Sequence, residues 1–428
     1  MNPTAIEGHL KLVLIQWMII IAAAWILGRL GKKLGQPLAV GEIAAGLLLG
    51  PSALGLLWPK DWPPLFPSET QQSLQLLGKL GLILLLFQVG MEFDFGHLRS
   101  RSRSVLAVSL TGLVAPALCG LAIGKWLHTH FAPETNFFGF QLFVCIALSI
   151  TALPIMGRIL LEMNLERTPL AALAISAAAI DDVAGWIGLA VITALVTSSF
   201  AWQPLLLQIG GVLGLFLLLM YVVGPLLRKL WQRLTAGAHA GKMPASFLAV
   251  LLIVLFACCI ATNKLGIFSI FGAFLLGVSL HQETALVKAW RARFSDFVLV
   301  ALVPIFFTNT GLRTELGSLN TCLAWLACGM VFVAATVAKL GGCFLGAKFT
   351  GQPLRDSWSI ATLMNTRALM ALVAINIGYD LKLLPKELFT IFVIMALLTT
   401  AMTGPLLLWL LPEDLKKLVR AGDPKSGG

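Results

Sequence analysis

Four ionisable side chains stand where lipid is expected. Asp181 and Asp182 are adjacent in AAIDDVAGWIGLAVITAL (178–195), Lys339 lies in VAKLGGCFLGAKF (337–349) and Arg367 in LMNTRALMAL (363–372), each near the middle of an apolar run. A charge at the bilayer centre costs about 2.5–3.5 kcal/mol on insertion scales, so such residues face the protein interior, pair with one another and mark ion or proton pathways. A structural salt bridge would account for one aspartate and the lysine; it leaves the second aspartate over. Neighbouring residues on a helix point about 100° apart, so one carboxylate can meet a cationic partner while the other meets a cavity. Two close carboxylates titrate as a coupled pair, and the one without a partner is poised to trade a proton for a small cation at physiological pH. Protons and cations then compete for the same oxygens, and that competition is the coupling of an antiporter.

The elements that carry these groups must be membrane helices. The 428 residues are 58% hydrophobic and 12% charged, with a mean hydropathy of +0.89, beyond what a soluble domain buries. With about 20 apolar residues needed per crossing, thirteen segments are expected: 11–28, 38–57, 73–91, 104–127, 137–161, 169–197, 204–227, 243–263, 265–281, 294–312, 320–347, 356–379 and 387–411. Gaps after the odd-numbered segments, with the C-terminal tail, hold 21 Lys and Arg; the opposite gaps and the N-terminus hold seven. The positive-inside rule then puts the N-terminus outside and the C-terminus in the cytoplasm, as in a bacterial inner membrane. The net charge of +11 reads as topology, and no nucleic-acid partner is expected. The seven cysteines form no CxxC spacing and read as small apolar side chains; no cofactor is expected. Glu42 and Lys79 sit near segment ends, where they are expected to reach the interface. The first apolar run has no basic start or cleavage site and is expected to be a retained helix.

Thirteen helices permit six, a linker and six more. An offset of seven is odd, so a repeat between the halves must be inverted, an arrangement found in secondary transporters. Two segments carry breakers at depth. LSITALPIMGRIL (148–160) holds Ser149, Thr151 and Pro154, and Pro154 removes a backbone hydrogen bond. The twelfth segment, offset by seven from this fifth one, holds Asn365, Thr366 and Arg367. Unwound backbone at membrane depth is tolerated only where it is buried or lines a cavity, and interruptions at corresponding positions point to a transporter's binding site.

The blocks GEIAAGLLLGPSALG (41–55), LLFQVGMEFD (85–94), SITALPIMGRIL (149–160), AAAIDDVAGW (177–186), GIFSIFGAFLLG (266–277), PIFFTNTGLRTE (304–315) and NTRALMALVAINIG (365–378) resemble, in order, those of the monovalent cation:proton antiporter-2 family. The resemblance implies an all-α membrane protein with six-helix inverted repeats, two crossed discontinuous helices (segments 5 and 12), and a homodimer. It implies a transmembrane domain over 1–412, with a mobile core at 104–197 and 320–411, a scaffold and dimer surface at 1–91 and 204–312, and a cytoplasmic tail at 413–428. It implies that Asp182 is the main cation and proton carboxylate, that Asp181 pairs with Lys339, that Thr151 and Ser149 contribute to ion and proton binding, and that exchange is electrogenic. Two positions depart from the family pattern: Phe268 stands where many members have His, and Ala368 follows Arg367 where Gly is usual. The chain continues about 17 residues past the last segment without a GxGxxG pattern, so gating through the nucleotide-binding domain that many relatives carry is not expected.

Other classes fit less well. An intramembrane aspartyl protease needs two carboxyl groups that face each other and share a proton; side chains 181 and 182 diverge, and no further Asp or Glu lies mid-segment. A cation channel needs a continuous pore with weak serial sites, whereas paired carboxylates opposite a lysine favour one ion at a time. A gated efflux system or a non-transporting sensor of the same fold would keep the carboxylates without the exchange. Na⁺, K⁺ and Li⁺ all remain candidate cations.

Overall fold

The computed structural model describes residues 3–33, 36, 38–57, 66–92, 102–163, 165, 168–197, 202–235, 243–265, 269–413 and 415–416. The first helices are α1 (Pro3–Lys33), α2 (Leu38–Leu49), α3 (Leu54–Leu57), α4 (Ser68–Met91) and α5 (Ser102–Phe131). There follow α6 (Phe137–Ser149), α7 (Leu153–Glu162), α8 (Pro169–Thr197), α9 (Trp202–Leu218) and, after a π turn at Leu219–Val223, α10 (Gly224–Thr235). Next come α11 (Ala245–Lys264), α12 (Ser269–Ser279), α13 (Thr284–Trp290) and α14 (Val303–Leu312), the last two joined through π turns at Arg291–Ser295 and Val298–Leu302. The chain ends in α15 (Cys322–Phe349), α16 (Leu354–Met364), α17 (Ala368–Asp380) and α18 (Lys386–Leu410).

Among the described residues side-chain oxygens cap three of these helices: Asn136 accepts from the Gly139 N–H at 2.8 Å, Thr168 from the Ala171 N–H at 3.2 Å and Thr321 from the Ala324 N–H at 3.1 Å. Helices α4, α11, α16 and α18 begin directly after a proline, whose missing N–H costs nothing at a helix start.

Each of the thirteen expected segments contains helix. Among the described residues eight helices are long and apolar enough to cross a bilayer, or nine if the bent pair Thr284–Ser295 and Val298–Ser318, at 43°, is one span. Four shorter apolar helices, Val40–Leu49, Phe137–Ser149, Ser269–Ser279 and Met370–Asp380, fall in the second, fifth, ninth and twelfth segments. Helix α5 shows what kind of solvent this is. Its exposed face carries Leu106, Leu110, Val114, Leu118 and Leu121, and its buried face is mostly small, with Ser104, Ser109, Gly112, Pro116, Gly120 and Gly124 beside Val105, Val108 and Leu127. Large apolar residues outward and small ones inward is the pattern of a helix packed in lipid, and the protein is an integral membrane protein.

The chain divides into two compact units, Met1–Trp25 with Trp58–Asp94 and Thr193–Asn309, and Ile26–Leu57 with Phe95–Ile192 and Thr310–Gly428. In the first, Val13, Ile20, Leu74 and Ile305 form a core with Trp17, Phe66 and Leu77. The Trp17 indole donates to the Ala301 carbonyl at 2.7 Å, an acceptor that lies within a π turn. In the second unit α5 and α15 pack at backbone contact: a Cβ on Gly342 would stand 2.5 Å from the Thr111 carbonyl oxygen, and one on Gly346 2.6 Å from that of Ala107. Residues 26–57, within the stretch expected as scaffold, group with this second unit. Glu42 departs from expectation. It is 7% exposed and engaged by neighbours instead of reaching the interface, because Gly41 on the same turn lies against Gly28 of α1, leaving 2.7 Å for a Cβ.

Candidate ion-binding site

Both interrupted segments break inside the second unit. The fifth stops at Ser149, runs through extended backbone at Ile150 (φ −62°, ψ 140°) and restarts at Leu153. Pro154 is thus the second residue of α7, in the first turn where a proline is tolerated, and the interruption precedes it; its side chain lies outside the described residues. The twelfth stops at Met364 and restarts at Ala368, with Arg367 at φ −118°, ψ −35°. The two breaks meet. The Ala152 N–H donates to the Thr366 carbonyl at 2.7 Å, and the Thr151 hydroxyl lies 3.1 Å from the Met364 carbonyl. Each interruption therefore satisfies part of the other's freed backbone, which buried unwound chain requires.

Asp181 and Lys339 form a fully buried ion pair, Oδ2 to Nζ 2.7 Å. The lysine ammonium also donates to the Gly112 carbonyl at 2.9 Å and the Ser149 carbonyl at 2.6 Å, so its three protons each have an acceptor. Asp181 accepts from the Ser109 hydroxyl at 2.6 Å on Oδ1, and its Oδ2 lies 2.9 Å from the Thr151 hydroxyl. A buried pair holds only when its remaining donors and acceptors are filled, and these are. Gly112 is required for the approach: a Cβ there would lie 2.5 Å from Cys343 Sγ and 3.5 Å from Lys339 Nζ. The Ser149 hydroxyl turns back to the Cys145 carbonyl at 2.7 Å and the Leu113 carbonyl at 2.9 Å. Thr151 and Ser149, expected beside the transported ion, thus hold the Asp181–Lys339 pair.

Asp182 is equally buried and differently placed. Among the described residues neither carboxylate oxygen has a hydrogen-bond partner. The Leu153 N–H, at the N-terminus of α7, acts on it electrostatically without closing a hydrogen bond. One of two adjacent carboxylates is filled by donors; the other closes no hydrogen bond among the described residues and stands by a half-helix N-terminus, an end that carries partial positive charge.

Arg367 is fully buried and, among the described residues, has no acidic partner within ion-pair distance. Its guanidinium donates through Nη1 to the Leu148 and Ala147 carbonyls and through Nη2 to the Ala335 carbonyl at 2.7 Å, while Nε has no acceptor among the described residues. Leu148 and Ala147 lie in the last turn of α6, where carbonyls lack intrahelical partners and the dipole is negative, so Arg367 neutralises the broken end of α6. Asn365 and Thr366 are buried in the same break. Phe268 lies outside the described residues; Ala368 opens α17. Ser109 escaped the sequence reading because one serine on an apolar helix gives no signal, its default partner being its own backbone.

The sodium/hydrogen exchanger transmembrane family matches residues 18–412. The Na(+)/H(+) antiporter NhaS4 of Synechocystis sp. is 34% identical over 408 residues, covering 94% of this chain and 98% of the relative. Cation/H(+) antiporter 17 of Arabidopsis thaliana is 34% identical over 95% of this chain, and the K(+)/H(+) antiporter 1 of Saccharomyces cerevisiae 28% identical over 97%. The chain spans about half the length of these last two, 49% and 48%. Among solved structures, the sodium proton antiporter MjNhaP1 of Methanocaldococcus jannaschii aligns with a TM-score of 0.67 at 16% identity over 96% of this chain and 99% of that one, a likeness of fold.

Proposed function

The chain belongs to the sodium/hydrogen exchanger transmembrane family, and from that premise we propose that it is a secondary antiporter exchanging a monovalent cation, Na⁺ or K⁺, for protons by alternating access. Asp182 is the carboxylate that either ion occupies. The observation that carries this reading is the asymmetry of the aspartates: Asp181 is neutralised by Lys339 and hydroxyl donors, while Asp182 is buried with neither oxygen hydrogen-bonded among the described residues. A buried carboxylate without donors needs a counter-charge, and a proton or a cation supplies one. Na⁺ and K⁺ are both supported, since the relatives' names include an Na(+)/H(+) and a K(+)/H(+) antiporter.

The finer architecture is part of the proposal. Thirteen crossings in six-helix inverted repeats are supported by the two breaks at segments offset by seven, which touch through Ala152 and Thr366. Alternating access then moves a core of 104–197 and 320–411 against a scaffold, of 1–91 and 204–312, that dimerises. The N-terminus lies outside a bacterial inner membrane and the C-terminus in the cytoplasm, in line with the 21 to seven split of Lys and Arg. Two protons move per cation if the Asp181–Lys339 pair also releases one during the cycle.

The test is a pH-sensitive dye in proteoliposomes to which Na⁺ or K⁺ is added. The wild type is expected to drive protons out as the cation enters, and Asp182→Asn is expected to move neither. A channel would dissipate the cation gradient without moving protons in return. Exchange by Asp182→Asn at the wild-type rate would remove the proposed site.

A further inference from the structure

Each residue of the α16–α17 break is held by one turn of α18. Asn365 Nδ2 lies 3.8 Å from the Met402 sulfur, and the Thr366 hydroxyl 3.3 Å from the Thr403 hydroxyl. The Arg367 and Ala368 N–H groups both point at the Thr400 hydroxyl oxygen, at 3.3 and 3.0 Å. That hydroxyl gives its own proton to the Ala396 carbonyl at 2.8 Å, so its oxygen is left as an acceptor. Helix α17 has no side-chain cap of its own, because the residue at its N-cap is Arg367, whose side chain cannot accept a hydrogen bond. Every residue of this arrangement except Met402 is buried to within 1%, where water cannot stand in for the missing acceptor.

We propose that Thr400 is a positioning residue for cation binding, supplying from a neighbouring helix the N-cap that α17 lacks. This rests on the reading of Asp182 as the exchange site. The connection between them is short, two peptide links joined by one backbone hydrogen bond. Thr366 accepts from the Ala152 N–H, and Ala152 is followed by Leu153, whose N–H acts on Asp182. A loosened first turn of α17 therefore displaces the backbone facing that carboxylate. A cation needs several oxygens at fixed spacing, whereas a proton needs one carboxylate oxygen and follows it wherever it moves. Loss of the cap should weaken the cation and spare the proton.

The experiment compares Thr400→Val, which keeps the volume and removes the hydroxyl, with Thr400→Ser, which keeps the hydroxyl, in proteoliposomes. Leaving a buried donor unpaired lowers the fraction of binding-competent sites, and a roughly tenfold loss of apparent affinity corresponds to about 1.4 kcal/mol. The expected result for Thr400→Val is a KM for the cation raised about tenfold with the maximal rate within about twofold of wild type. Because protons compete for the same oxygens, weaker cation binding needs fewer protons present, and the pH of half-activation at fixed cation should rise by about one unit. Thr400→Ser should match the wild type in both. A Thr400→Val protein with wild-type KM and half-activation pH, or one that loses maximal rate at unchanged KM, overturns the proposal. Should Thr400→Val not accumulate, Thr400→Cys, with only a weak sulfur acceptor, takes its place with the same expected direction. Asp182→Asn run in parallel separates the two claims: its exchanging normally sinks the site itself, while a wild-type Thr400→Val beside an inactive Asp182→Asn sinks the cap alone.

Discussion

Replacing Lys339 by methionine removes a charge whose three protons are all accepted within 2.9 Å, in a place without solvent. Asp181 would keep the Ser109 and Thr151 hydroxyls and lose its counter-ion. Breaking a buried pair by deleting one partner costs about 3–5 kcal/mol, because the remaining charge is stranded. Against a total folding free energy of roughly 5–15 kcal/mol, that is a large fraction. The cost should be reversible by removing the stranded charge: Asp181→Asn with Lys339→Met leaves two neutral groups where two ions stood, and most of the loss should return. The double-mutant cycle should give a coupling of about 2–3 kcal/mol. The assay is unfolding of wild type, both single variants and the double variant in the same detergent, with transport measured alongside. If Lys339→Met unfolds within about 1 kcal/mol of wild type, or the double variant is no more stable than Lys339→Met, the pair does not hold the core as described.

Two further outcomes follow from the same geometry. Arg367→Lys should lower exchange at least tenfold and stability by about 1–3 kcal/mol, read by transport and unfolding, since one ammonium cannot span the carbonyls of both α6 and α15 that the planar fork reaches. Gly112→Ala should cost about 1–3 kcal/mol through overpacking against Cys343 and Lys339, and Cys343→Ala in the same chain should recover most of it, because the sulfur is the atom in the way.

Much of the site was legible because burial is expensive. Asp181, Asp182, Lys339 and Arg367 announce themselves by standing in apolar runs, and the pairing of Asp181 with Lys339 is what such a cost demands. The breaks were legible as clusters of Ser, Thr, Asn and Pro, though the interruption falls at Ile150–Ala152 ahead of Pro154, since a proline opens a helix as readily as it ends one. The parts that stayed hidden are contacts between distant segments. Ser109 and Thr400 look like any hydroxyl on a membrane helix, and the Ala152–Thr366 bond is backbone to backbone, so nothing in either residue's identity encodes it. Crossings were legible where one helix fills a segment; where a segment holds short pieces, as Leu38–Leu49 and Leu54–Leu57 in 38–57, composition cannot say how the chain bends within it.

The central claim is that the free oxygens of Asp182 hold a proton or a cation and never both. Protons released when Na⁺ or K⁺ is added to the purified protein in weakly buffered detergent solution measure this directly. About one proton or more per bound cation is expected from the wild type, since an ion taking a protonated carboxylate must expel its proton, and none from Asp182→Asn. A cation that binds the wild type without releasing a proton, or an Asp182→Asn protein that releases as many, would contradict it.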